Sequence, residues 1–200
     1  RFSADSKRVY ALTDHLGQHP LWSIALDDGA RKMLMQSGNV AEFDVARDRI
    51  VFTMQGVSAP ADLHVIAGNA APRRLTDINA ARLVDVRFGE AAQFSFTGAG
   101  GDKVFGYAVK PWNWQPGKKY PVAFIVHGGP QSSFANTWSY RWNPQVYSGA
   151  GYGVVFIDFH GSTGYGQAFT DAINGDWAGK PFEDLQKGLE AALEKFPWMD

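Results

Sequence analysis

The chain has 200 residues, 45% of them apolar and 14% aromatic, which is enough for one or two domains with a real core and excludes a disordered or fibrous protein. Nineteen Lys and Arg stand against twenty Asp and Glu, a formal charge of −1, and the only adjacent basic pairs are Lys7-Arg8, Arg31-Lys32, Arg73-Arg74 and Lys118-Lys119, so no nucleic-acid partner is expected. The absence of cysteine excludes disulfides, thiolate catalysis and Cys-ligated metal. No apolar run approaches the roughly 18 residues of a membrane-spanning helix, so a soluble protein without a membrane partner is expected. Cytoplasm and periplasm are equally compatible with this composition.

The chain opens on Arg1 and passes directly into a strand pattern, with no charged segment followed by an apolar one as in a targeting signal. Residues 2–10 align with residues 43–51 at an offset of about 41 residues, and the same offset carries Trp22-Ser-Ile-Ala-Leu26 onto Leu63-His-Val-Ile-Ala67. Each unit reads as a polar turn, a β-rich run (8–13; 49–54), an alternating strand (21–26; 62–67), a turn (Asp27-Asp28-Gly29; Gly68-Asn69) and a short basic strand (32–35; 73–76). Four short strands at this period are the pattern of a β-propeller blade. Val9 should then match Ile50, and Ile24 match Val65, as inward residues. His15, His19 and His64 lack metal-ligand spacing, and no metal or cofactor is expected.

After Asp77 the pattern changes. Residues 93–97 and 103–110 alternate across the glycine-rich Gly98-Ala99-Gly100-Gly101-Asp102 turn and read as a hairpin. Residues 122–126 and 153–158 are apolar on both faces, as central strands of a helix-covered parallel sheet require. Between them Asn143 is a good N-cap and Pro144 suits the first helical position, which predicts a short helix over 144–150. A second helix is predicted over 182–196, with Leu185, Leu189, Ala192, Leu193 and Phe196 on its buried face and Glu183 and Asp184 serving its N-terminal dipole. Asp158, at a strand end, is likewise read as capping. The expected fold class is thus all-β propeller blades over residues 1–82, followed by the N-terminal part of an α/β-hydrolase domain over 83–200.

His127-Gly128-Gly129-Pro130 leaves the first apolar strand at the carboxyl edge, where open α/β sheets bind their ligands. Two glycines allow a sharp turn that leaves peptide N–H groups facing a cavity, and such donors stabilise a developing oxyanion. This is also the place where α/β hydrolases carry their HGGG-type loop. The triad histidine of that fold follows its nucleophile in chain order, so His127 is not read as the general base. Two roles remain for it, a hydrogen-bond donor or a shaper of the turn. His160 opens a glycine-rich loop and is read as structural.

Val126-His-Gly-Gly-Pro-Gln131, Trp138-Ser-Tyr-Arg-Trp-Asn-Pro144, His160-Gly-Ser-Thr-Gly-Tyr-Gly166, Gly175-Asp-Trp-Ala-Gly179 and Phe182-Glu-Asp184 together resemble the prolyl oligopeptidase family of serine peptidases, in its dipeptidyl-peptidase 5 and acylaminoacyl-peptidase branch. The resemblance covers residues 94–200 and is looser before them. It implies a β-propeller screening an α/β-hydrolase domain, and release of dipeptides or acylated residues from the amino end of short peptides. It further implies that Gly129, with Gly128 beside it, offers a main-chain oxyanion donor. His127 stands where other branches carry a tyrosine. Pro130, Tyr140, Arg141 and Trp142 are candidates to line the peptide substrate's pocket, although the aromatics could equally pack a domain interface.

No Gly-x-Ser-x-Gly occurs: Gly161-Ser162-Thr163-Gly164 has the wrong spacing and Gly56-Val57-Ser58-Ala59-Pro60 ends in proline. The serine, aspartate and histidine of a triad are therefore expected beyond Asp200, and Ser162 is not read as the nucleophile. The remainder of the same protein, or a second chain, is expected to complete the hydrolase sheet, and residues 1–200 alone should lack peptidase activity. Two other readings share these features. An esterase or lipase-like hydrolase needs the loop but not the blades, and a propeller binding module needs the blades but no nucleophile.

Overall fold

A computed structural model describes residues 1–200. The chain divides into two compact units, Arg1–Val86 with Ala135–Trp138, and Arg87–Phe134 with Ser139–Asp200. It is mostly β-sheet, with few helices.

In the first unit β1 (Arg8–Leu12), β2 (Leu21–Ala25) and β3 (Arg31–Met33) form an antiparallel sheet in that order. The turn into β3 is built by local chemistry: the Asp28 carboxylate accepts from the Ala30 N–H at 2.8 Å, and Gly29 takes φ +70°. A second antiparallel sheet follows, of β4 (Asn39–Ala46), β5 (Arg49–Gly56), β6 (Ala59–Ala67) and the short β7 (Arg73–Arg74). A single turn, α1 (Ala80–Leu83), comes after it.

Leu21, Val40, Ile50, Phe52 and Ile66 form the buried core of this unit, flanked by Tyr10, Leu12, Phe43 and Val45. The expected matching of inward residues needs correction. Val9 pairs with Ile24 in the first sheet, but Ile50 pairs with Ile66 in the second. Ile24 therefore corresponds to Ile66, not Val65, because a one-residue slip moves every side chain to the other face. Moreover β1 contributes Tyr10 and Leu12 to the core, while β5 contributes Ile50 and Phe52. Two like sheets that share one core must offer it opposite faces, so equivalent positions are not both inward. The strand β4 falls where the sequence reads as a polar turn. A bulge between Val40 and Glu42 breaks the alternation, so that Val40 and Phe43 reach the same core despite odd spacing.

The segment Ala135–Trp138 belongs to this unit by its hydrogen bonds. Asn39 Nδ2 donates to the Ala135 carbonyl at 3.1 Å, the Val57 N–H to Asn136 Oδ1 at 3.0 Å, and Gln55 Nε2 to Thr137 Oγ1 at 2.9 Å.

The second unit is a mixed sheet covered by helices. β8 (Ala91–Thr97) and β9 (Lys103–Val109) form a hairpin around the 3-10 turn Ala99–Gly101, as the alternation predicts. β10 (Val122–Ile125) and β11 (Gly153–Ile157) run parallel, and the strand order is β10-β11-β9-β8. All of β11 is buried, whereas β10 is half-buried and, within these residues, pairs with β11 alone.

Between them lies α2 (Pro144–Gly149), capped as predicted by Asn143, whose side chain accepts from the Gln145 N–H at 2.9 Å. Two further helices follow, α3 (Gln167–Asp171) and α4 (Lys180–Lys195). Phe94, Val104, Val155, Ile157, Phe169 and Ala192 lie in their common core. The buried face of α4 is Pro181, Asp184, Gly188 and Ala192, and Leu193 is 39% exposed. A Cβ at Gly188 would come within 2.8 Å of Ile157 Cδ1, so glycine is what lets the helix lie this close to the sheet.

Candidate active site

Because β10 and β11 are parallel and in register, with Ile125 beside Phe156, their carboxyl ends open on the same edge. His127-Gly128-Gly129-Pro130 departs from one and Asp158 to Gly166 from the other. The second segment holds the first. The buried Asp158 accepts from Ser133 Oγ at 2.7 Å, from the Phe134 N–H at 3.1 Å and from Tyr165 Oη at 3.0 Å. The Thr163 N–H donates to the Ser132 carbonyl at 3.0 Å. The loop end at residues 132–134 is thus anchored by a carboxylate and a backbone bond. Asp158 is no mere strand cap; two of its three partners, Ser133 and Phe134, lie 25 and 24 residues away and carry no local signal. Burial, reinforced by the Asp158 charge, holds the Tyr165 phenol far above its ordinary range, so it remains a donor.

Gly128 and Gly129 are exposed, and the N–H of neither donates to another group of the chain. Gly129 adopts φ +138°, a conformation that favours glycine. His127 stacks on Phe159 at 4.4 Å and meets Phe134 edge-on at 5.4 Å. Its Nδ1 lies 3.0 Å from the Gly128 carbonyl and its Nε2 2.8 Å from Ser162 Oγ. Burial holds the imidazole below its ordinary value, opposed by the Gly128 hydrogen bond.

That depression has a measurable consequence. The unfolded imidazole titrates near 6.5 and the folded one lower, so between the two values the unfolded chain binds more protons. The stability associated with neutral His127 is therefore complete above the unfolded value and declines as pH falls toward the folded one. Thermal unfolding at about pH 7.5 and about pH 5 should show a smaller acid-side drop for His127→Gln than for the parent protein. Equal drops would remove His127 from the account.

A second buried cluster lies under the same loop. His160 is 1% exposed and Asp184 0%. One Asp184 oxygen accepts from the His160 N–H at 2.7 Å and meets Nδ1 at 2.5 Å, and the other accepts from the Ala99 N–H at 2.7 Å. His160 Nε2 faces Asp102 at 3.1 Å, and Phe169 stacks on the ring at 4.0 Å. His160 is thus buried and held at both ring nitrogens by carboxylates. Asp184 does not serve the helix dipole as expected; it ties α4 to the loop after β11 and to the hairpin turn. Glu183 pairs with Lys187 at 2.6 Å.

The remaining candidates sit on the exposed loop before α2. Tyr140 is 86% exposed, the Arg141 guanidinium lies 5.1 Å from the Trp142 ring, and Ser139 Oγ accepts from the Arg141 and Trp142 N–H groups. Pro130 follows Gly129 directly, half-buried.

Residues 138–200 match the prolyl oligopeptidase family. Dipeptidyl-peptidase 5 of Schizosaccharomyces pombe is 50% identical over 105 residues, 52% of this chain and 15% of its own length. Probable dipeptidyl-peptidase 5 of Aspergillus clavatus is 31% identical over 208 residues, all of this chain and 28% of its own length. Among solved structures, the acylaminoacyl peptidase of Pyrococcus horikoshii superposes with a TM-score of 0.83 at 26% identity, covering 96% of this chain and 30% of that one. The chain thus spans less than a third of the length of these relatives. With residues 138–200 matching the family, a relative 31% identical across the whole of this chain and a fold shared with an acylaminoacyl peptidase, the chain belongs to the prolyl oligopeptidase family.

Proposed function

We propose that this chain contributes propeller blades and the oxyanion-loop part of an α/β-hydrolase domain to a serine exopeptidase, which releases dipeptides or acylated residues from the amino end of short peptides. The observation that carries the reading is the turn His127-Gly128-Gly129-Pro130, anchored through Asp158 and Thr163, with the Gly129 N–H uncommitted at the carboxyl end of β10. The names of the relatives, dipeptidyl and acylaminoacyl peptidases, supply the substrate class. Residues 1–82 are assigned to the blades and 83–200 to the hydrolase part.

In this reading a serine Oγ outside these 200 residues adds to the scissile carbonyl carbon. The carbonyl π electrons move onto oxygen, and the Gly129 N–H donates to that oxyanion. Collapse of the intermediate expels the amine, which takes the proton that the triad base removed from the serine. His127, held neutral, stays out of proton transfer. Pro130, Tyr140, Arg141 and Trp142 are assigned to the substrate side of the loop.

The test is to incubate the full-length protein with a fluorophosphonate and, separately, with chromogenic dipeptidyl and acyl-aminoacyl anilides, beside residues 1–200 alone. Labelling and anilide cleavage by the full-length protein, with neither from residues 1–200, is the expected result. Cleavage of simple esters but no anilide would favour an esterase, and no labelling at all a binding module. Labelling of residues 1–200 at Ser162 would overturn the placement of the nucleophile.

A further inference from the structure

A cavity of about 410 Å³ lies between the two sheets of the first unit. In β1, β2 and β3 the register places Tyr10 beside Ser23 and Ser23 beside Lys32, so these three side chains stand in one row on one face. Arg8, two residues before Tyr10, shares that face. It is the face that gives Tyr10 and Leu12 to the core, and across the cavity from it stand Ile50 and Ile66, each 5% exposed. Sheets packed face to face ordinarily fill the space between them with apolar side chains. Here Ser23, which is 3% exposed, and the basic Arg8 and Lys32 take such positions at one end, and the cavity opens beside them.

Neither cation is paired with a carboxylate, and no residue lining the cavity is acidic. The Arg8 guanidinium makes one long hydrogen bond, 3.4 Å from Nη1 to Ser23 Oγ. Its other N–H groups, the Lys32 ammonium and the Ser23 hydroxyl hydrogen are left to donate to an acceptor inside the cavity. Two cations and a buried hydroxyl suit an anionic head group, because charge-assisted hydrogen bonds are the strong ones. Ile50, Ile66 and the Tyr10 ring suit an apolar body. With no carboxylate to meet it, an ammonium on the same ligand would lose its water and gain no partner. We propose that this cavity binds small organic acids, the apolar body lying between Tyr10 and the two isoleucines and a carboxylate or phosphate head on Arg8, Lys32 and Ser23. The site does not depend on the peptidase reading, since every residue lining it belongs to the first unit.

The test is isothermal titration calorimetry on the full-length protein, treated beforehand with a fluorophosphonate so that a product-like acid is not counted at a catalytic serine. The probes are N-acetyl-phenylalanine and phenyl phosphate, with N-acetyl-phenylalanine amide as the neutral control and phenylalanine as the zwitterionic one. One equivalent of an acid is expected to bind, about tenfold or more tighter than either control, and the tighter of the two acids identifies the head group. Arg8→Ala and Lys32→Ala should each weaken binding about tenfold, the effect of removing a hydrogen bond to a charged group, and Lys32→Glu should abolish it. Both side chains reach solvent, so these variants keep the fold, which circular dichroism checks. The ligand should also raise the unfolding midpoint of the parent protein and not that of Lys32→Glu. Unchanged affinity in both alanine variants, equal affinity for N-acetyl-phenylalanine and its amide, or no binding of either acid would overturn the site.

Discussion

Gly129→Val is expected to lower kcat of the full-length protein by about 10²–10³-fold while its secondary structure and unfolding midpoint stay close to those of the parent. The residue sits at φ +138°, and a Cβ there would lie 3.1 Å from the Gln131 nitrogen and 3.1 Å from Ser132 Cβ. Both neighbours are tied down, because Gln131 donates through its side chain to Asn174, Ser132 accepts from Thr163 and the adjoining Ser133 donates to Asp158. The strain must therefore be relieved by rotating the Gly128–Gly129 or Gly129–Pro130 peptide, and the Gly129 N–H, the proposed oxyanion donor, turns away. Because Gly129 is exposed and outside the core, the fold itself loses little. Gly128 supplies the internal control. A Cβ at Gly128 meets nothing within 4 Å, so Gly128→Ala should retain most of the activity. Circular dichroism and kcat measured on the same preparations check both statements, and an inactive Gly128→Ala beside an active Gly129→Val would reverse the assignment.

Asp184→Ala is expected to destabilise the protein by about 3–5 kcal/mol, the range for stripping a buried charge partner from its hydrogen-bonded neighbours. The substitution leaves the Ala99 N–H, the His160 N–H and the His160 ring without their acceptor in a site closed to water. It also detaches α4 from the loop that carries Ser162 and Thr163, so kcat should fall together with stability. Denaturation by urea, followed by tryptophan fluorescence, reads the effect as a shift of the midpoint at constant slope. Asp184→Asn keeps one acceptor oxygen and should lose less. A shift of under about 1 kcal/mol for the alanine variant would rule out this carboxylate as an anchor.

The elements legible in the sequence are those whose cause is local. The Asn143-Pro144 cap, the hairpin around the Gly98 to Asp102 turn, the two apolar strands and the amphipathic α4 each depend on residues within a few positions of one another. The turn His127 to Pro130 is legible for the same reason, since two glycines after an apolar strand dictate a sharp exit whatever surrounds it. What escaped the reading was non-local or broken in phase. A bulge at Val40 hid β4, and a one-residue difference in register separated Val65 from its expected partner Ile24.

The site divides along the same line. By itself the sequence determined that a sharp Gly-Gly turn follows β10 and that no Gly-x-Ser-x-Gly lies within these 200 residues. Only the tertiary structure decided which groups hold that turn. Ser162 reaches His127 across 35 residues, Asp158 reaches Ser133 across 25, and Asp184 reaches Ala99 across 85. Each of these residues, taken alone, reads as an ordinary loop serine, a strand-end acid or a helix N-terminal acid. Their roles arise because parallel strands bring distant carboxyl ends to one edge, and because a buried polar group must find its partner wherever the fold puts one.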